Sequence, residues 1–266
     1  MKHILKLTAI AFSSLMAMSF SAHAQDKTAQ EPESTAVVGA GVFYAPEYIG
    51  AKKNRFGPAI YGEYQNKNGF FASTMRGVGF GTKVDDFSLS AALGYRAGRE
   101  DSRDSKSLFS SDDLKGMGNI SGSAIANLQA STTFGPGIKA SFNANMALSH
   151  RENGNAYTFG LSAPVFQVAT DKIEIGGNLT YGDAKYNQTY FGVTPTQSAN
   201  SGYKAFSAKA GFSQATANVA WTHVIDKNWS VRSAVGVSQV MGDAGDSPLS
   251  KKKTNPLVIT TVNYAF

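Results

Sequence analysis

Beyond residue 24 the chain carries two histidines, His150 and His223, the side chains best suited to moving protons near neutral pH. A nucleophilic hydrolase needs a hydroxyl or thiol beside such a histidine, and a carboxylate to orient it. Cysteine is absent, so thiolate nucleophiles and thiolate zinc sites are excluded. His150 opens the stretch His150-Arg151-Glu152-Asn153-Gly154, beside a carboxylate but with no nucleophile partner in sequence. His223 shares an alternating face with Val219 and Trp221, close to Asp226, and that face points away from the polar one where a bundled site would assemble. Asp85-Asp86 and Asp112-Asp113 could hold Ca²⁺ weakly, yet neither sets ligands at alternate positions as a calcium loop does. The sequence has no phosphate-cradling glycine loop and no metal-spaced histidine pair. These residue types make no case for an enzyme, and no cofactor or metal is expected.

The elements that would position these groups are strands. In 137–149, Ile138, Ala140, Phe142, Ala144, Met146 and Leu148 alternate with Lys139, Ser141, Asn143 and Asn145. Segments 119–131, 172–181 and 229–239 repeat the pattern, the second setting Ile173, Ile175 and Leu179 against Lys172, Glu174 and Asn178. The last eleven residues, 256–266, alternate as well and stop on Phe266. Period two puts one set of side chains on each face of a sheet, and about ten residues is the length a tilted strand needs to cross a bilayer. The expected fold is all-β, a transmembrane antiparallel barrel over 36–266. Aromatics near strand ends (Tyr157, Tyr181, Trp221, Trp229, Tyr264) suit a girdle, and the face carrying Lys139, Asn143, Glu174 and Arg232 is too polar for a packed core. Those two features favour a membrane barrel over the competing reading, a soluble β-sandwich or lipocalin-like barrel.

The remaining composition agrees. Lys2 and Lys6, an apolar run from Leu7 to Phe20 and Ala22-His23-Ala24 read as a signal peptide, 1–24, followed by a polar, disordered periplasmic lead-in, 25–35. Export implies a Gram-negative envelope, with outer-membrane lipid and lipopolysaccharide as surroundings. A mean hydropathy of −0.20 fits a barrel with a polar lumen. The pI near 9.3 does not point to nucleic acid, because basic residues are scattered except at Lys251-Lys252-Lys253, which reads as a solvated loop.

Short turns and long loops must segregate to opposite ends of such a barrel, and the strand number must be even. Short connections fall at 66–69, 84–86, 134–137, 170–171 and 226–228; long ones fall at 45–54, 98–117, 150–154, 183–208 and 241–255. Breaking 69–83 near Arg76-Gly77 satisfies both conditions and gives twelve strands; ten strands with one hairpin outside the membrane is the alternative. The loop 183–208 holds Tyr186, Tyr190, Phe191, Gly192 and Tyr203. It reads either as an interaction loop with aromatic anchors or as a segment folded into the barrel mouth, Gly192 permitting a turn that a Cβ would block. The second reading is favoured, as is a turn for Gly242 to Pro248 whose Asp side chains bond nearby amides.

Several segments together resemble the MipA/OmpV family of outer-membrane proteins. They are Val38 to Gly50, Gly77-Val78-Gly79, Tyr186 to Thr194 with Ser201-Gly202, Trp229-Ser230, Gly242 to Pro248 and the terminal Tyr264-Ala265-Phe266. The resemblance implies an outer-membrane barrel acting as a scaffold that links a murein lytic transglycosylase to a penicillin-binding protein. It also implies that Phe266 is read during assembly. The rival function is a narrow channel for small solutes, with Lys139, Lys172, Glu174 and Arg232 as a mixed-charge wall. Surface adhesion, resting on the aromatic loop, is a third.

Overall fold

The computed structural model describes residues 34–102 and 110–266; the signal-peptide segment and the lead-in up to 33 lie outside the described residues. Twelve antiparallel strands form one closed barrel in which each strand pairs with its neighbours in sequence and β1 closes on β12. They are β1 (Ser34–Pro46), β2 (Asn54–Asn66), β3 (Phe70–Ser73), β4 (Gly77–Val84), β5 (Phe87–Arg96) and β6 (Ser123–Phe134), then β7 (Ile138–Ala147), β8 (Ala156–Gln167), β9 (Asp171–Gly182), β10 (Gly211–Val224), β11 (Trp229–Val240) and β12 (Thr254–Ala265). Closure leaves no unpaired edge, and the seam runs in register from Val37 opposite Ala265 to Tyr44 opposite Val258.

The expected break at Arg76-Gly77 is a real turn. Ser73 Oγ accepts the amides of Met75 and Arg76 at 3.2 and 3.3 Å, and Gly77 sits at φ +93°, where an L side chain is strained. β3 is short because that turn follows it at once. Several boundaries differ by a few residues from the sequence reading. β1 begins at Ser34, since Ser34 and Thr35 already pair with Asn66 and Gln65. β6 begins only at Ser123, because Ile120 leaves the alternating ladder to exchange both backbone hydrogen bonds with Arg99.

Alternation sorts the side chains. Val38, Val42, Ile60, Leu93, Leu161 and Val235 lie on the outer face and are about half exposed or more. Aromatic rings border this apolar belt at both ends. Tyr44 with Phe56, and Tyr157 with Tyr181 and Phe212, stand at the long-loop end. Tyr64 with Phe70 and Phe80, and Trp229 with Tyr264 and Phe266, stand at the short-turn end. On β2, Phe56 and Tyr64 are separated by about 27 Å along the strand, or about 21 Å of height for a ~40° tilt. The inner face is partly packed: Phe43, Ala45, Ala59, Ala220, Ala234, Leu257 and Ile259 form an apolar cluster against β1, β2 and β10–β12.

A capped lumen as the candidate functional site

The long connections fold over one end of the barrel and lock together. Between β9 and β10 lie two helices, α1 (Ala184–Phe191) and α2 (Pro195–Ser201), and between β11 and β12 a one-turn helix, α3 (Gly242–Asp246). None was foreseen in sequence, although the signals were local. Asp183 caps α1 by accepting the Tyr186 amide at 2.7 Å. Thr194 and Gln197 form a reciprocal capping box around Pro195, and Gly202 ends α2 in a left-handed conformation. Gly242 to Pro248 was read as a turn bonding its own neighbourhood. Instead Asp243 reaches across to accept the Lys209 amide at 2.8 Å, because α3 lies beside the end of the preceding loop.

Two apolar clusters hold this cap. One joins Tyr48, Ala51, Leu114, Met117, Val193 and Leu249, and so draws on four different loops. The other joins Ala156, Tyr186, Phe191, Ala208, Val240 and Ala244. Polar ties cross between loops: Ser111 Oγ donates to Glu47 at 2.7 Å, Gln197 Nε2 to the Met117 carbonyl at 2.8 Å, and Tyr203 Oη to the Asp113 carbonyl at 2.6 Å. Beneath them Arg96 donates to the carbonyls of Asn153 and Gly154, and Arg99 to that of Tyr190 at 2.9 Å. Burial pulls the Arg99 guanidinium down from its ordinary value and pushes the Tyr48 and Tyr190 hydroxyls up. It pushes Tyr186 up to about 12.

Of the five residues singled out in loop 183–208, Tyr186 and Phe191 are buried in the second cluster. Tyr190 and Tyr203 pack partly buried against the clusters, Tyr203 under the Lys251 ammonium at 4.2 Å. A Cβ at Gly192 would come within 2.1 Å of the Gln188 side chain, so close approach explains that glycine. Phe266 is exposed at the other end, its amide donating to the Ala36 carbonyl at 3.0 Å.

Below the cap runs a cavity of about 1320 Å³. Arg96, Arg99, Tyr190 and Phe191 line its ceiling, and at the other end it reaches the short-turn rim at Lys67, Asn68, Asp226 and Lys227. Lys139, Lys172, Glu174 and Arg232, read as one wall, all line this lumen. The register explains how they meet. Lys172 on β9, Thr222 on β10 and Arg232 on β11 are direct cross-strand neighbours, and Glu174 sits two residues on from Lys172 on the same face. Ala220, opposite Glu174, is small enough to let that carboxylate reach over β10. Lys172 Nζ lies 2.9 Å from one Glu174 oxygen and Arg232 Nη1 3.6 Å from the other. Across the lumen, which sequence periodicity did not relate to this wall, Arg76 pairs with Glu63 at 2.6 Å over the Phe71 ring, and Tyr61 Oη donates to Glu63 at 3.0 Å.

Neither histidine enters this lumen. His150 lies 3.2 Å from Glu152 on an exposed turn. His223 Nδ1 is 2.9 Å from Asp171 Oδ1, which also accepts the Trp221 indole at 2.8 Å. Thr170 Oγ1 donates to the other Asp171 oxygen rather than approaching the imidazole, so no relay from hydroxyl to histidine is formed there.

The family model described as "MltA-interacting protein MipA" matches residues 38–266. No curated protein matches the chain. Among solved structures, the KdgM porin is 13% identical, covering 86% of this chain and 99% of its own, with a TM-score of 0.41. An outer membrane channel from Pseudomonas putida F1 is 9% identical, covering 91% and 98%, with a TM-score of 0.44. An anion-selective porin from Comamonas acidovorans is 10% identical, covering 88% and 98%, with a TM-score of 0.37. Scores in this range carry no argument about function.

Proposed function

The chain belongs to the MipA family, and from that premise we propose that it is an outer-membrane barrel that docks murein-processing enzymes at its short-turn end. Placement in a bilayer is supported by the outward apolar belt, its two aromatic borders and a height close to the ~25 Å of an outer-membrane apolar band. Short turns then face the periplasm and the cap faces outward, with residues 1–24 as the export signal and Phe266 read during assembly. The observation that carries the docking role is the packed loop end. Two apolar clusters and the Arg96 and Arg99 ties hold the long loops across that end of the lumen, which favours a surface for partners over a conduit. The partner class rests on the family's description as MltA-interacting, and its penicillin-binding protein on the family resemblance of the sequence, not on the geometry. Affinity capture from detergent-solubilised envelopes should recover a transglycosylase or a penicillin-binding protein; recovery of neither above background overturns the reading for this chain.

The second reading, a narrow channel for small solutes, draws on the polar cavity of about 1320 Å³. It requires the cap to open. Planar-bilayer recordings of the folded protein should show stepwise conductance if it does.

A further inference from the structure

Four cations and two carboxylates meet in the part of the lumen nearer the short-turn end, where Lys139 and Lys172 are the second residues of β7 and β9. Arg76, Lys139, Lys172 and Arg232 stand against Glu63 and Glu174, all lining the one cavity. Glu63 is engaged by Arg76, and Glu174 is shared between Lys172 and Arg232. Lys139, from β7, faces Glu174, Lys172 and Arg76. The cluster therefore holds two positive charges more than its own carboxylates neutralise. The Glu174 and Arg232 side chains are only 12% and 6% exposed, so bulk salt screens this excess poorly. Protein walls of low polarizability also focus the field into the lumen. Hydroxyl and amide groups of Ser141, Asn143, Thr158 and Thr222 line the same space and can complete the hydrogen bonds of a desolvated anion. At the ceiling Arg96 and Arg99 stand with Glu47, so one positive charge is left over at the loop end as well.

We propose that this lumen is a binding site for a small dianionic solute, entering from the short-turn end and held by Lys139, Lys172, Arg232 and Arg76. Two charges on the ligand match the two that the cluster leaves over, and the loops packed over the far end favour retaining a ligand over passing it. Carboxylates and sulfate- or phosphate-like oxyanions share this chemistry. The site does not depend on docking of murein enzymes, since its charged groups line the lumen rather than the outer surface of the rim.

Titration calorimetry of the detergent-folded full chain tests the proposal with succinate and sulfate as probes, and acetate and succinamide as controls. Saturable binding of one dianion per barrel is expected, by one probe or both, with acetate at least about tenfold weaker and succinamide silent. Succinate alone would assign the site to carboxylates, sulfate alone to oxyanions. Lys139→Gln should weaken binding by about tenfold, and Glu174→Gln, which adds one net positive charge, should tighten it by a similar factor. A loosened fold would weaken both variants alike, so the opposite signs separate electrostatics from misfolding. Absence of saturable binding by either probe overturns the proposal, as do two variants that leave affinity unchanged or shift it the same way.

Discussion

The Tyr48 hydroxyl donates to the Leu249 carbonyl at 3.0 Å, joining the first long loop to the last across 201 residues of sequence. The two loops lie on either side of the seam where β1 meets β12, so this bond closes the cap above the line where the barrel itself closes. Both residues belong to one apolar cluster, and the Tyr48 ring is buried against Leu249, Leu114 and Val193.

Tyr48→Phe should therefore keep the packing and lose one buried hydrogen bond, a cost of about 1 kcal/mol, with the Leu249 carbonyl still accepting the Lys251 amide. Tyr48→Ala should cost several times more, because it also opens a cavity in the cluster. Limited proteolysis within 241–253 reports both: cleavage should quicken slightly in the first variant and strongly in the second, while the barrel stays resistant.

Phe191, 1% exposed, sits between the cap and the lumen. Phe191→Ala should destabilise the cap by about 3–5 kcal/mol. If the cap is what seals the barrel, deletion of 184–206 should convert a silent protein into one with conductance steps in planar bilayers. Unchanged silence would mean that the charged cluster in the lumen, rather than the cap, blocks the route.

Alkaline pH should loosen the cap before the barrel. Burial raises Tyr186 to about 12, above the ordinary phenol value near 10, so the folded cap binds its proton more tightly than the unfolded loop does. That contribution is fully present below pH 10 and is lost as pH rises from 10 through about 12. Tyrosinate absorbance followed together with proteolysis of 183–210 should show a late-ionising tyrosine whose appearance coincides with loop cleavage. Tyr186→Phe should shrink that late step and leave the share that comes from the other buried cap tyrosines, Tyr48 and Tyr190.

At the seam, a Cβ on Gly41 would lie 1.8 Å from the Thr260 carbonyl oxygen. Gly41→Ala must push β1 away from β12, at the upper end of the about 1–3 kcal/mol typical of overpacking. The folded, heat-modifiable band in a cold gel should diminish. Deleting Phe266 should act differently, lowering assembly in cells while leaving refolding in detergent nearly intact.

Much of the architecture was legible from side-chain alternation. A strand exposes opposite faces at every second residue, so the pattern in Ile138 to Leu148 or Val258 to Phe266 reports a two-sided sheet without any knowledge of neighbours. Loop lengths and parity then favoured twelve strands over ten, and the structure has twelve, with the turn at Gly77. The cap was far less legible. Its helices are short, and their capping signals at Asp183, Thr194 and Gln197 lie in a polar stretch that also reads as irregular loop.

By itself, then, the sequence determined the antiparallel barrel and the polar character of its lumen and narrowed the strands to twelve or ten, because those depend on local periodicity and connection length. Only the tertiary structure decided which charges meet and where the lumen ends. Lys172, Arg232 and Lys139 are brought around one carboxylate by strand register, with Arg76 facing them from β3–β4. Tyr48 and Leu249 are brought together by closure of the ring. Contacts at such separations depend on how the whole sheet curls, which no single strand encodes.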